Sequence, residues 1–191
     1  MTSEQKKSRK KRLEKINQRK KQLKKVTLFL LLLIISSYLF DIKLVLFIIS
    51  LIIVNSKLEK EIVRRGIPLR FELATFATVI AARVYGLEYG IALGLILRFT
   101  SSTYTVNFAP DHAFQAIILT IIALTSSILT ELNVVVLGIF ATIFFNAFMY
   151  ITTKFLLGFA DTLNIPLILS NAILSMVLFL SLGSAFVTIL S

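Results

Sequence analysis

Ionisable and amide side chains set inside long apolar runs are the groups in this chain whose chemistry needs an explanation. Arg83, Arg98, Asn146, Lys154 and Asn171 all fall within or near such runs. A charged or amide group in hydrocarbon has to find a partner, and it is a functional candidate wherever it occurs. Arg83, with Glu88 five residues on, could form a buried ion pair or face a cavity for an anionic solute. Asn146 and Asn171 fall inside the last two apolar segments, where their amides either bond helix to helix or line a solute cavity. These three form a candidate substrate-binding set. Arg98 and Lys154 lie near expected helix ends, where a long stem lets the charge snorkel to the headgroups.

Catalysis has little to work with. The chain has no cysteine and a single histidine, which excludes a thiolate nucleophile, a disulfide framework and a His-rich metal site. Ser101, Ser102 and Thr103 form a loop string with no base close in sequence. The Asp111-His112 pair lacks a nucleophile or a metal-ligand set beside it. It reads instead as a helix start, where the Asp suits the helix dipole. No phosphate-cradling loop or cofactor fingerprint occurs. No catalytic residue, cofactor or metal is expected, and the chain does not read as an enzyme.

The elements that must position these groups are apolar helices. Hydrophobic residues make up 57% of the 191 residues and charged ones only 16%, with a mean hydropathy of +0.86. Apolar segments run over about 26–40, 44–55, 71–85, 89–99, 113–130, 133–157 and 165–190. A membrane span needs about 20 residues, and the first two segments are each too short. Either they form a tight hairpin around Asp41-Ile42-Lys43, or they make one long tilted helix with that charged pair halfway; the cost of mid-bilayer charge favours the hairpin. Asn55–Arg70 reads as the one substantial internal polar linker, with Gly66 and Pro68 ending one helix and opening the next. Polar loops are expected at Phe99–His112, whose Thr100–His112 stretch could cap a pocket, and at Gly158–Pro166, with a tight turn at Glu131–Asn133. Tyr85, Tyr89, Tyr104 and Tyr150 are candidate interface anchors.

Charge divides the chain into a tail, residues 1–25, and a membrane domain, residues 26–191. Twelve of the 21 Lys and Arg lie in the tail with two acids, so the tail is +10 and the remainder +1. Lys10, Lys11, Arg12, Arg19, Lys20, Lys21, Lys24 and Lys25 form a polybasic arm next to the first apolar segment. Each such cation is worth about 1 kcal/mol near an anionic leaflet, so anionic lipid is the expected partner. No aromatic residue precedes Phe29, and without a stacking platform nucleic acid is not favoured. The long basic region, with no small-residue cleavage site after 26–40, argues against a cleaved signal peptide. Basic loops prefer the cytoplasm, which places the N-terminus there. With the hairpin, seven crossings follow and Ser191 lies outside.

Gly86, Gly90 and Gly94 recur every four residues, just after Ala74, Ala77, Ala81 and Ala82. Small residues at this spacing form a groove that a second helix can fill. A turn at Tyr85–Glu88 would fold the two stretches against each other, making Ala77, Ala81 and the three glycines a packing seam. An apolar helix ending in Gly, followed by the ladder "GLEYGIALG", resembles the S components of energy-coupling factor vitamin transporters and the rod-shape protein MreD. "GIPLRFELATF" and "FAPDHAFQAIILTIIAL" resemble that family's Pro-containing helix entries, so the likeness spans about residues 66–130. The chain departs from the family pattern at Leu87, where Pro is usual. It also lacks Ala-x-x-x-Ala in "LLLLIISSYLF", the usual contact for the coupling subunit. The resemblance implies an all-α polytopic bundle of six spans, against seven from charge. It also implies either solute capture with partner subunits or a membrane scaffold that recruits cytoplasmic or envelope partners through its tail.

Overall fold

The computed structural model describes residues 41–65, 73–105, 111–156, 158 and 161–191. The basic tail, the 25/26 boundary and the first apolar segment lie outside these residues. So do Gly66, Pro68, Arg70 and residues 106–110. All the described elements are helical: α1 (Ile42–Arg65), α2 (Ala74–Tyr85), α3 (Leu87–Thr105), α4 (Asp111–Ile128), α5 (Val134–Ile151), α6 (Asp161–Leu178) and α7 (Ser184–Leu190). Single π-helical turns, Thr152–Leu156 and Phe179–Gly183, extend α5 and join α6 to α7. Two of the resulting stretches, Val134–Leu156 and Ile165–Leu190, are long and apolar enough to cross a membrane.

Contacts divide the chain into compact units at Met1–Leu46 and Phe47–Ser191. In the first, Asp41 caps the start of α1: its Oδ1 accepts the Lys43 N–H at 2.9 Å, leaving the Asp outside the helix as an N-cap prefers. From Phe47 onward α1 belongs to the second unit, and it continues past Asn55 to Arg65, so most of the expected polar linker is helical. The reason is local. Lys57–Arg65 holds good helix formers with Glu61 bridging Arg64 and Arg65 at 2.6 and 3.0 Å, and no glycine or proline intervenes before Gly66.

In the second unit, α2 is the central element. It packs on α3, α4, α5, α6 and α7, and every residue from Ala74 to Ala82 is buried. At 12 residues it is only about 18 Å long. Its small side chains let the neighbours approach closely, and a helix apolar on all sides belongs in an interior. Phe76 in its first turn packs tilted against Phe179 and edge-on against Phe186, with ring centroids 5.0 and 5.7 Å away, and Phe47 of α1 joins Phe186 at 5.3 Å.

The helices run alternately. Asn55 Oδ1 accepts the Leu73 N–H at the start of α2 (3.5 Å). At the other end of α2, Arg83 donates to the Leu129 carbonyl and Tyr85 Oη to that of Leu190. The starts of α3 and α5 and the close of α7 therefore gather at the Tyr85 end. The starts of α4 and α6 gather at the Asn55 end. α3 continues to Thr105, which makes helix of the first half of the expected Phe99–His112 loop. Likewise α6 begins at Asp161 and carries Pro166 inside it, so the last linker ends earlier than Pro166. At Thr130–Leu132 the chain does turn, and Asn133 caps α5 by accepting the Val135 N–H at 2.8 Å.

Polar side chains are buried beside the apolar core, and large apolar ones stand outside. Asn55, Thr75, Thr78, Gln115, Ser126, Thr142, Asn146, Asn171 and Ser175 are buried. Ile128, Phe140, Phe155, Leu180 and Ile189 are more than 60% exposed. Apolar stripes cover the outside, Ile117-Ile121-Leu124-Ile128 on α4 and Val136-Phe140-Ile143 on α5. An exterior of this kind is compatible with a membrane bundle.

Candidate functional site

The glycine seam is built between α2 and α3. Gly86 ends α2 with φ +98° and ψ 176°, a backbone conformation open to glycine almost alone. Its N–H donates to the Ala82 carbonyl at 3.2 Å, and no atom lies within 4 Å of where a Cβ would project. Gly86 therefore serves the turn rather than the packing. The next two glycines serve the packing. A Cβ on Gly90 would run into the Ala82 Cβ, with the Ala82 backbone just behind it, and one on Gly94 into Thr78 Oγ1. Ala77 and Ala81, both fully buried, face the bundle core rather than this seam. Glu88 is exposed at the turn, and no ion pair joins it to Arg83 among the described residues.

Of the three candidate solute-binding residues, two come together. Asn171 Nδ2 donates to Asn146 Oδ1 at 3.1 Å, and Asn146 Nδ2 donates to the Thr142 carbonyl at 2.8 Å. Both are buried, at 2% and 6% exposure. Arg83 stands apart at the Tyr85 end, donating to the Leu129 carbonyl at 2.8 Å. Asn146 lies about 18 Å further along α5 from its start near that end. These three side chains do not line one cavity. The two amides cross-bond α5 and α6, and Arg83 adds a second bond to the Leu129 carbonyl, which also accepts the Leu132 N–H in the turn after α4.

A polar group that sequence spacing missed lies at the Asn55 end. Arg98, His112 and Gln115 are all buried, and Arg98 Nη2 sits 3.4 Å from His112 Nε2. A guanidinium only donates, so in this pairing Nε2 accepts and the ring N–H is on Nδ1. Arg98 is thus held within the bundle instead of snorkelling. Lys154 does turn towards its helix neighbours: its Nζ donates to Tyr150 Oη at 3.0 Å and lies over the Tyr150 ring. The signal available for the Arg98 group was its spacing. Residue 115 lies one turn after residue 112, and α3 carries Arg98 antiparallel to them, but that requires knowing that α3 and α4 pack together.

A second close approach also escaped the sequence reading. A Cβ on Gly138 of α5 would enter the ring of Phe179, so this single glycine admits the aromatic of the π turn. The well-formed cleft among the described residues opens between α4 and α5. It has a volume of about 100 Å³ and is lined chiefly by Ile121, Ile122, Leu137, Phe140 and Phe144, with Ser126 beside them. No group of three metal-ligating side chains assembles among the described residues. No protein family, no curated protein and no solved structure matches this chain.

Proposed function

We propose that this chain is a non-enzymatic, multi-pass membrane protein that acts as a scaffold, in the manner of the MreD-like reading. The observation that carries the proposal is the pairing of Asn146 with Asn171. The amides at the middle of the bundle bond to each other and to the Thr142 carbonyl, and neither lines the cleft. A solute-binding bundle needs polar groups converging on a cavity, whereas here they join helices. With the charge-based count of seven crossings, the N-terminal tail and the linker after α1 lie on the same side. The Asn55 end then faces the cytoplasm with Lys57, Lys60, Arg64, Arg65 and Lys154, on the same side as the polybasic tail. The tail holds anionic lipid and presents the cytoplasmic face to partner subunits.

The second reading is solute uptake in the manner of an S component. What favours it is the buried Arg98–His112–Gln115 group, because cationic and amide donors at one end of a bundle suit an anionic solute. Thermal unfolding of the full chain in mild detergent separates the two. A panel of vitamins, nucleobases, amino acids and sugar phosphates is expected to leave the midpoint unchanged. Replacing the eight tail cations named above with Gln is expected to lower the amount of phosphatidylglycerol that copurifies with the chain. A solute present at 100 times its Kd would add about 2.7 kcal/mol of stability. A shift of that size for any panel member would replace the scaffold with the uptake reading.

A further inference from the structure

The outer face of α1 changes character within one turn. Ile53 and Val54 stand exposed on it. The next residues on the same face are Lys57, Lys60 and Arg64, at helical spacing from Ile53, and all three are exposed. An exposed face that is apolar and then cationic marks the level where hydrocarbon gives way to headgroups.

The acids of this stretch do not cancel the charge. Glu59 is half-buried, away from the stripe, and Glu61 is shared by Arg64 and Arg65 at 2.6 and 3.0 Å. Lys57 and Lys60 have no acid within ion-pair distance among the described residues. A guanidinium has five donors, so Glu61 holds Arg64 and Arg65 in place and leaves them donors to give.

Height along the bundle puts these charges in one layer. From Tyr85 back to Leu73 the chain rises about 18 Å, and Asn55 is bonded to Leu73 at that level. From Asn55 onward, α1 climbs about 3 Å to Lys57, about 7.5 Å to Lys60 and about 13.5 Å to Arg64. Measured along the helix axes, Arg64 therefore stands about 31.5 Å from the Tyr85 end. α5 starts at that end and brings Lys154 to about 30 Å by its own path. The hydrocarbon of a bilayer is about 30 Å thick. Two separate helices thus deliver cations one hydrocarbon thickness away from exposed Glu88 and Glu131, and the stems of Lys57 and Lys60 can reach outward to the same layer.

Resting on the membrane reading above, we propose that the Lys57–Lys60–Arg64 face is a binding surface for anionic phospholipid of the leaflet at the Asn55 end, separate from the basic tail. Lipid phosphates accept from the two ammonium groups and from the remaining donors of Arg64. Because Asn55 fastens α1 to the start of α2, binding here also sets the depth of the bundle in that leaflet. An acidic protein segment has the same charge, but the unbroken passage from Ile53 and Val54 to Lys57 selects lipid. The molecules that cover the apolar part of this face carry their phosphates at the level of its cations.

The test is native mass spectrometry of the full chain from detergent, titrated with phosphatidylglycerol and separately with phosphatidylcholine, after membranes have been washed with alkaline carbonate. The eight tail cations named above are replaced by Gln throughout, so the tail cannot mask the α1 face. This chain is expected to hold phosphatidylglycerol in preference. Adding Lys57→Gln, Lys60→Gln and Arg64→Gln should weaken phosphatidylglycerol more than tenfold, at about fivefold per cation, and leave phosphatidylcholine unchanged. Lys57→Arg with Lys60→Arg should keep the preference. All three side chains are exposed, and Arg65 still pairs with Glu61, so the triple variant keeps its packing. Equal retention of phosphatidylglycerol by the triple variant, with the protein still resistant to carbonate, overturns the surface and leaves the membrane reading standing. Release by carbonate removes both. Unchanged phosphatidylglycerol, with a short polyglutamate peptide bound by the tail-substituted chain and lost from the triple variant, would give the face to an acidic protein partner instead.

Discussion

Replacing Asn171 by Ala removes the donor that satisfies Asn146 Oδ1, and the consequence can be worked from the geometry. The bond is neutral, 3.1 Å long, and joins two side chains that are almost fully buried. Leaving a buried acceptor unmade costs about 1–3 kcal/mol. Within a bilayer the measured coupling of such pairs is smaller, about 0.6 kcal/mol on average and about 1.7 at most, because the unfolded chain also finds partners. The Asn171→Ala single variant should therefore lose about 1–2 kcal/mol. Asn146→Ala should lose somewhat more, since it also gives up the bond to the Thr142 carbonyl. The double variant should lose less than the two singles together, by about 0.5–1.5 kcal/mol. Reversible unfolding in mixed detergent micelles measures all four chains. Additivity within about 0.3 kcal/mol would refute the pairing and free both amides for a role in a cavity. A positive coupling with no response to solutes is what two helix-joining amides require.

The seam makes sharper predictions. Gly94→Ala should destabilise by about 1–3 kcal/mol, and Thr78→Ala should rescue it, because the obstacle is Thr78 Oγ1 and the Thr78 Cβ is 3.4 Å away. Gly90→Ala should cost at least as much, and Ala82→Gly should rescue it only in part, because the obstacle is the Ala82 Cβ at 2.5 Å with the Ala82 Cα at 3.0 Å and N at 3.1 Å behind it. Gly86→Ala meets no atoms, so its loss of about 1–3 kcal/mol should come from backbone strain alone; Gly86→Asn should recover none of it in the same unfolding assay, because ψ 176° lies outside the left-handed region that Asn tolerates. The chain has no cysteine, so single cysteines report topology cleanly. Glu131→Cys should react with an impermeant maleimide on intact cells and Lys60→Cys only after lysis, and the reverse pattern would put the Tyr85 end in the cytoplasm.

What the sequence made legible was governed by short-range rules. Asp111 reads as a helix start, and α4 begins there; the stretch Glu131–Asn133 reads as a tight turn, and the chain turns there before Asn133 caps α5, because such signals are decided within a few residues. The Gly-x-x-x-Gly spacing located a close approach, because helical periodicity carries it. The boundaries that moved did so for tertiary or compensating local reasons. Asn55 looked like the start of a linker because an amide ends an apolar run; it is buried instead, with its side chain fastened to Leu73 across the loop. The Thr100–Thr105 stretch looked like loop from its polarity, yet no glycine or proline breaks α3 there. Arg98 and His112 could not be paired from spacing, since the residues between them hold two helix ends and the connection between them. Gly138 carried no repeat to advertise its contact with Phe179, which only the path of the π turn creates.

The two close approaches together bear on what the bundle can do. α2 is gripped by α3 through Gly90 and Gly94, and its Phe76 ring rests on Phe179, which is itself seated on Gly138 of α5. Each contact is backbone-close or aromatic, so a shift of one helix is felt at once by the next. The Asn146–Asn171 bond ties α5 to α6 between the two π turns, where a helix would otherwise bend most readily. A carrier that alternates between two faces needs one repeat or bundle to rock against another. Interlocked seams on both sides of a central helix oppose that motion. What such a bundle can offer freely is its outside: the cleft at the Tyr85 end, the apolar stripes, and the basic helix end beyond Asn55. Those are the surfaces on which binding by this protein is to be sought.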